Sequence, residues 1–414
     1  MYDVIHISME NWDTVWRRNQ NVAAGLARRY PDRKILYVGL EVDLSHALRK
    51  GRFAAFREGR RVAPPRRSRE FPNVYLFNPV KWFPNTLTAG RLANEAITRA
   101  QVRKAARFIG LVNPVLYVNP YYAAHMPGRM GESAVVYDVG DDWTAFKQSP
   151  ALDRRTAWQD AALTRRADAV IVVSERLREM KQALARKLTV IPNGVDAERY
   201  DPVARRALPP HPITSGWARP ILGHTGTLQP QRTDVDLVIA VARAFPHGTL
   251  ALVGPADLDP DSERRLRAEP NVRLTGPVNH ADVPRVMSAF DVCIVPHRVN
   301  AFSASQSPLK LYEYLAAGLP IVSTPVSGFR DYPELVHLAE GADRFAAAVR
   351  TALGEPPELA DRRRAAAAAH TWDARIDAYV EVFRELQIPH PCQTDASHAG
   401  YPDHDARPVQ TAAR

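Results

Sequence analysis

The feature that most constrains this chain is a pattern that runs twice. Short β-branched runs alternate with amphipathic stretches from Val4 to Ile191, stop at a stretch rich in chain breakers, and start again at Ile221. Alternation of this kind predicts a parallel sheet covered by helices. In the first half the predicted strands are Val4–Ser8, Ile35–Val38, Val74–Asn78, Val115–Asn119, Val135–Val139, Ala169–Val173 and Leu188–Ile191. The helices between them are Val15–Arg29, Arg91–Ile109, Arg154–Arg166 and Glu175–Arg186. Continuous apolar runs such as Val170-Ile171-Val172-Val173 suit strands buried on both faces. The break holds Asp201-Pro202 and Pro209-Pro210-His211-Pro212, which read as a linker. Beyond it strands are predicted at Ile221–His224, Leu250–Val253, Val272–Thr275, Val292–Val295 and Ile321–Ser323, with helices at Asp234–Ala244, Ala281–Ala289, Leu309–Ala317 and Asp343–Leu353.

The expected fold class is therefore α/β: two Rossmann-like, doubly wound parallel-sheet domains facing a central cleft, where ligands bind at the carboxyl ends of the strands. The expected boundaries are 1–200 for the first domain, 201–217 for the linker and 218–370 for the second domain. A last helix over 371–388 carries Trp372, Ile376, Tyr379, Val380 and Phe383 on one face and packs across the domains. The polar segment 389–414, with repeated Pro, Gly, His and Asp, reads as disordered. At 414 residues and 45% hydrophobic content there is enough chain for two ordinary cores.

Cys293 and Cys392 are the only cysteines. They are far apart and have no metal-ligand partners nearby, so neither a disulfide framework nor a zinc site is expected. The start Met1-Tyr2-Asp3-Val4-Ile5-His6 reads as a first strand rather than a signal peptide. No run approaches the roughly 20 apolar residues of a membrane-spanning helix. The expectation is a cytoplasmic protein, peripheral on the inner face of the cell membrane.

The peripheral part of that expectation comes from charge. The net charge of +10 is concentrated between Leu48 and Arg69, where Arg49, Lys50, Arg52, Arg57, Arg60, Arg61, Arg66, Arg67 and Arg69 face the single acid Glu58, with Phe53 and Phe56 among them. Such a segment can hold anionic lipid headgroups while its aromatics enter the interface. The plainer reading is a solvated loop. Nucleic acid is not expected, because nothing else in the chain resembles a nucleic-acid-binding module.

Five motifs in order give the chain a family likeness. They are Trp12 with Trp16-Arg17-Arg18-Asn19-Gln20, Tyr137-Asp138-Val139-Gly140-Asp141-Asp142-Trp143, Ile191-Pro192-Asn193-Gly194-Val195-Asp196, Gly223-His224-Thr225-Gly226-Thr227, and Ser307-Pro308-Leu309-Lys310-Leu311-Tyr312-Glu313. Each is weak singly. Together, in this order and spacing, the chain resembles the GT-B glycosyltransferases of the family 4 type, especially the branch similar to teichuronic acid biosynthesis enzymes. The resemblance implies a nucleotide-sugar donor, UDP- or GDP-linked, held by the second domain. It implies an acceptor, a lipid-linked sugar or a saccharide, held by the first domain, in the synthesis of surface polysaccharide or cell-envelope glycan. No cofactor or metal is implied, the nucleotide sugar being a substrate.

Residue chemistry agrees with that assignment. Ser307 and Pro308 precede a helix beginning near Leu309, so unpaired amides and the positive end of the helix dipole can face a diphosphate, with Lys310 adding a full charge. Glu313, one turn on, matches the family carboxylate that accepts from ribose hydroxyls; as an ordinary helix residue it would pair with Lys310. The family's second Glu, eight residues earlier, is replaced here by Ser305. Gly226 and Thr227 form a turn that lets backbone amides approach phosphate. Arg232 fits the basic residue that this branch places near the phosphates, and Val278 lies in the loop where relatives hold the base through main-chain contacts.

For deprotonating the acceptor hydroxyl the candidates are Asp141 and, beside it, Asp142, which alternatively caps a turn. Asp138, Asp141 and Asp142 also form a carboxylate cluster of the sort that binds hard cations, but a metal is not expected on a chain with two repeated α/β halves. His125, on a loop after Val115–Asn119, sits near where the resemblance places a cleft histidine in some relatives; the plainer reading is a surface imidazole. Two competing functions remain open on sequence alone: a UDP-sugar epimerase of the same architecture, and a non-catalytic sugar-nucleotide-binding protein. A Rossmann dehydrogenase is disfavoured, since no Gly-x-Gly-x-x-Gly follows either first strand.

Overall fold

The computed structural model describes residues 2–51, 62–146, 149–205 and 207–386. In chain order the strands are β1 (Val4–Ile7), β2 (Ile35–Val38), β3 (Val42–Asp43), β4 (Arg66–Arg67), β5 (Val74–Phe77), β6 (Val80–Lys81), β7 (Val115–Val118), β8 (Ala134–Val139), β9 (Ala169–Val172) and β10 (Leu188–Val190). Those of the second half are β11 (Ile221–Thr225), β12 (Thr249–Val253), β13 (Val272–Gly276), β14 (Val292–Val295), β15 (Ile321–Ser323) and β16 (His337–Leu338). One sheet has the order β10-β9-β8-β7-β1-β2-β5-β4, the other β13-β12-β11-β14-β15-β16, and β3 pairs with β6 alone. Every pairing in the two large sheets is parallel except that of β4 with β5.

Alternate residues of each strand serve opposite faces. Val4, Tyr37, Val74 and Tyr117 enter one core of the first sheet, whereas Ile5, Leu36, Phe77 and Leu116 enter the other. The second sheet is likewise packed on both sides. This is why its strands read as unbroken apolar runs rather than as alternating ones. In each sheet the strand order reverses beside the first strand, between β1 and β7 and between β11 and β14. A crevice opens at the carboxyl ends there, since connections leave in opposite directions.

Two glycines mark close approaches. Gly25 lies on the helix Arg18–Arg29, where a Cβ would stand 2.3 Å from Ile376 Cγ1 of the last helix, Trp372–Glu385. At Gly223 in β11 a Cβ would come within 2.2 Å of the Phe290 ring. The last helix buries Trp372, Ile376, Tyr379 and Phe383 in the core of the first sheet, so the chain returns from the second half to finish the first.

Several elements differ from expectation. The helix expected from Val15 begins at Arg18, because Arg17 takes the cap position and its N–H donates to Gln20 Oε1 at 3.0 Å. That frees Asn11–Arg17 as a loop. The helix expected over Ala281–Ala289 shortens to Val283–Met287 after a 3-10 turn. Helices Pro260–Ala268 and Glu358–Ala368 were not legible, each being mostly charged or alanine-rich with few apolar positions to set a period. The breaker-rich stretch holds two short helical pieces, Asp201–Ala204 and Pro212–Thr214. Arg52, Arg57, Arg60 and Arg61 of the basic segment, and the tail 389–414, lie outside the described residues.

Candidate functional site

A cleft of about 530 Å³ lies between the carboxyl ends of the two sheets. The first half contributes Glu10 after β1, Trp16 and Arg17 from the freed loop, Asn119 after β7 and Asp141 after β8. The second half contributes Thr225, Gly226 and Thr227 after β11, Gly254 after β12, Val278 and His280 after β13, and His297 after β14. Ser307, Pro308, Leu309, Lys310 and Glu313 line it from the head of the helix Leu309–Ala317.

That helix starts at Pro308 with no side-chain cap, leaving its first amides available at the cleft. The turn after β11 is held open by glycine. Gly226 has φ +122°, and its Cβ would stand 3.1 Å from Lys310 Nζ. Gly254, at φ +145°, packs so closely that a Cβ would lie 2.3 Å from the Gly226 oxygen. Backbone and an ammonium thus meet where any side chain would intrude.

Ser307 faces the cleft, but its hydroxyl accepts from Asn193 N at 3.1 Å, while Asn193 Nδ2 donates to the Ser307 carbonyl. Asn193 in turn accepts from Arg18 at 3.1 Å. Arg18 is buried and paired at 2.9 Å with the fully buried Asp138, whose carboxylate also accepts from Tyr117 and Tyr379. The loop before the donor helix is therefore tied through Asn193 to the core of the first half.

Arg232 and Asp141 meet across the cleft, with Nη2 at 3.4 Å from each carboxylate oxygen. Gln306 Nε2 donates to the same carboxylate at 2.8 Å, and the guanidinium lies 5.1 Å from the Phe302 ring centroid. Burial pushes the Asp141 carboxyl up, with Arg232 pulling it back. Asp142 points elsewhere: its Oδ1 accepts from Thr144 N at 3.0 Å and from the Thr144 hydroxyl, and it does not line the cleft. Asp138, the third carboxylate of the sequence cluster, is committed to Arg18.

Burial likewise raises Glu313, opposed by Tyr200, Arg199 and Lys310. It lowers Lys310 to about 7, with the like charge of Arg232 adding to the effect. Ser305, at the place of the missing Glu, is buried with its hydroxyl on the Phe302 carbonyl at 3.0 Å. His125 is buried rather than on the surface; desolvation, then Arg99 and Arg129, lower it to about 3. Arg49 and Lys50 are exposed at the end of the helix Leu44–Arg49, away from the cleft lining.

Sequence reasoning missed several lining groups. Glu10 accepts from Asn19 Nδ2 at 2.9 Å, and burial raises its carboxyl. Trp16 stacks on His280 with rings 6.1 Å apart and 9° from parallel, and His280 N donates to the Thr14 carbonyl at 3.0 Å, so the freed loop bridges to the second half. His224 and His297 flank Lys310. His224 stood in a quoted motif at the end of a predicted strand and His297 just after another, and neither position singles out a histidine.

Two doubly wound sheets with a polar cleft at both sets of carboxyl ends define the GT-B architecture. Residues 219–355 match the family model described as glycosyl transferases group 1, and residues 122–199 match that of glycosyltransferase family 4. The chain is 31% identical over 256 residues to TuaH of Bacillus subtilis, which is assigned to teichuronic acid biosynthesis as a glycosyltransferase; the match covers 58% of this chain and 64% of TuaH. It is 26% identical to a glycogen synthase of Mycobacterium tuberculosis, over 61% of this chain and 63% of that one. The matched part thus spans a little under two thirds of these relatives. Among solved structures, sucrose-phosphate synthase from Thermosynechococcus elongatus superposes with a TM-score of 0.69 at 18% identity, covering 93% of this chain and 99% of that one. HepE of Anabaena, solved with UDP-glucose, gives 0.63 at 19% identity, covering 93% and 100%. The chain thus carries domains of the glycosyl transferases group 1 and glycosyltransferase family 4 types on a GT-B fold.

Proposed function

We propose that the chain transfers a sugar from a UDP- or GDP-linked donor to a lipid-linked sugar or saccharide acceptor in the making of a cell-envelope glycan. The observation that carries the reading is convergence: Lys310, the uncapped helix head at Leu309 and the Gly226 turn gather on one wall of the cleft, and Asp141 faces them from the other half. The relatives' names and the UDP-glucose in HepE supply the substrate class.

In this reading the diphosphate sits on the amides of Thr227, Leu309 and Lys310, beside the bare Gly226 backbone, with the Lys310 ammonium and Arg232 taking up charge as the leaving group departs. Glu313 accepts from the ribose hydroxyls, and the turn at Val278 borders the base. Asp141, rather than Asp142, takes the proton of the acceptor hydroxyl, since only Asp141 lines the cleft. Arg232 faces Asp141. A bound diphosphate gives that guanidinium a second anion, which leaves Asp141 less neutralised and more basic.

The acceptor side supports a membrane-proximal role. Leu48 is 43% exposed beside Arg49 and Lys50, and Trp82, Phe83 and Leu87 are 38%, 46% and 63% exposed nearby, the helix Leu44–Arg49 packing on β6. Apolar and basic groups side by side suit an anionic leaflet. Among the described residues no helix is long and apolar enough to cross a membrane.

The test is a thermal-shift screen of UDP-, GDP- and ADP-linked sugars, followed by donor consumption with and without acceptor. Stabilisation of about 2.7 kcal/mol is expected at 100 times the dissociation constant. No shift with any donor refutes the reading, and donor conversion without acceptor would replace it with an epimerase. Flotation with anionic vesicles checks the membrane part, which fails if low-salt binding is absent or indifferent to replacing Arg49 and Lys50 with Ser.

A further inference from the structure

Lys310 Nζ has an unusual pair of neighbours. It lies 3.1 Å from His224 Nε2 and 3.3 Å from His297 Nε2. An ammonium only donates, so each facing ring nitrogen presents a lone pair and each imidazole is neutral with its proton on Nδ1. His224 satisfies that condition independently, because its Nδ1 lies 2.9 Å from the Ile294 carbonyl, which only accepts. Both rings are buried, at 1% and 4% exposed, and they pack edge to face with centroids 5.5 Å apart. One is the penultimate residue of β11 and the other follows β14, the adjacent strands at the point where the order reverses. Two acceptors hold two of the three N–H bonds. The third remains for the cleft, toward which Nζ is placed beside Gly226.

We propose that His224 and His297 are positioning residues of the donor site, a pair of neutral imidazoles that fix the Lys310 ammonium so that its remaining N–H meets an oxygen of the diphosphate. The proposal rests on the reading of this cleft as a nucleotide-sugar site. Its logic is electrostatic. A carboxylate in either place would hold the amine equally well but would cancel its charge. An imidazole lone pair orients the amine and leaves the full charge for the incoming anion.

A linkage follows from the groups that face Nζ: the two neutral rings, the like charge of Arg232 and the opposite charge of Glu313. With burial dominant, Lys310 is lowered to about 7. A bound diphosphate favours the ammonium, so binding takes up a proton. Below that pH the lysine is already charged and little is taken up; above it, affinity falls as pH rises.

UDP-glucose is a suitable probe, its diphosphate diester carrying no group that titrates near neutrality. For the wild type, calorimetry in buffers of different ionisation enthalpy should show proton uptake growing from pH 6 to 8.5. His297→Leu should weaken binding about tenfold or more, as loss of a hydrogen bond to a charged group does, and His297→Gln, which restores an acceptor, should recover most of it. Wild-type affinity and pH profile in His297→Leu would overturn the proposal. A ligand-free measurement separates this from failure of the donor reading. Competitive acetylation of lysines read by mass spectrometry gives the Lys310 midpoint directly. It should drop in His297→Leu and return in His297→Gln; an unchanged midpoint refutes the pair's role even if no nucleotide sugar binds.

Discussion

Replacing Arg18 by Met tests the tie between the core of the first half and the donor loop. Arg18 is 6% exposed and Asp138 is fully buried, with Nε at 3.1 and 2.9 Å from the two carboxylate oxygens. The other guanidinium nitrogens reach Asn193 Oδ1 at 3.1 Å and the Ile191 carbonyl at 2.8 Å. Met fills most of the space but leaves a buried carboxylate without its cation, a change that costs about 3–5 kcal/mol. At about 2–4 °C per kcal/mol for a domain of 150–250 residues, the unfolding midpoint should fall by roughly 6–20 °C. Adding Asp138→Asn removes the stranded charge while keeping an acceptor for Tyr117 and Tyr379, so the double variant should recover most of the loss. The assay is a thermal and urea unfolding cycle over the four proteins. A loss below about 1 kcal/mol in Arg18→Met, or a second substitution that adds to the loss instead of relieving it, would refute the electrostatic account of this node.

Asp141→Asn should lower turnover by about 10²–10⁴ while donor affinity, read by thermal shift, changes little; near-wild-type turnover would remove Asp141 as the base. Gly223→Ala should destabilise by about 1–3 kcal/mol in urea unfolding, because its Cβ would meet the Phe290 ring at 2.2 Å. His125, lowered to about 3 in the fold, binds fewer protons there than in the unfolded chain. Its contribution therefore weakens stability as pH falls from about 6.5 toward 3, at about 1.4 kcal/mol per unit. His125→Phe should flatten unfolding free energy against pH over that range relative to wild type, and parallel curves would contradict it.

Where the apolar pattern was dense, sequence and structure coincide. The strand cores Ile35–Val38, Val292–Val295 and Ile321–Ser323 and the helix Leu309–Ala317 fall at their expected places, because burial on both faces leaves such runs no alternative use. The helix Glu358–Ala368 was not legible, since its stability comes from a neighbour. Arg363 is fully buried, donating to the Leu335 carbonyl at 2.8 Å and pairing with Glu355, and arginine carries no sign of burial in a sequence.

At the cleft the division is the same. The sequence offered Gly226, Lys310 and Asp141 as site candidates through local chemistry, because glycine, a charge at a helix start and a carboxylate at a strand end are local properties, and the family resemblance added Arg232 and Glu313. Tertiary structure decided what each one faces. It set Asp141 opposite Arg232 and turned Asp142 into Thr144. It brought Glu10 to the same cleft and closed two imidazoles around Lys310. Those neighbours are 91, 86 and 13 residues apart in the chain for Arg232 with Asp141, Lys310 with His224 and Lys310 with His297. No local spacing encodes such pairings; they exist because two sheets present the ends of their strands to one another.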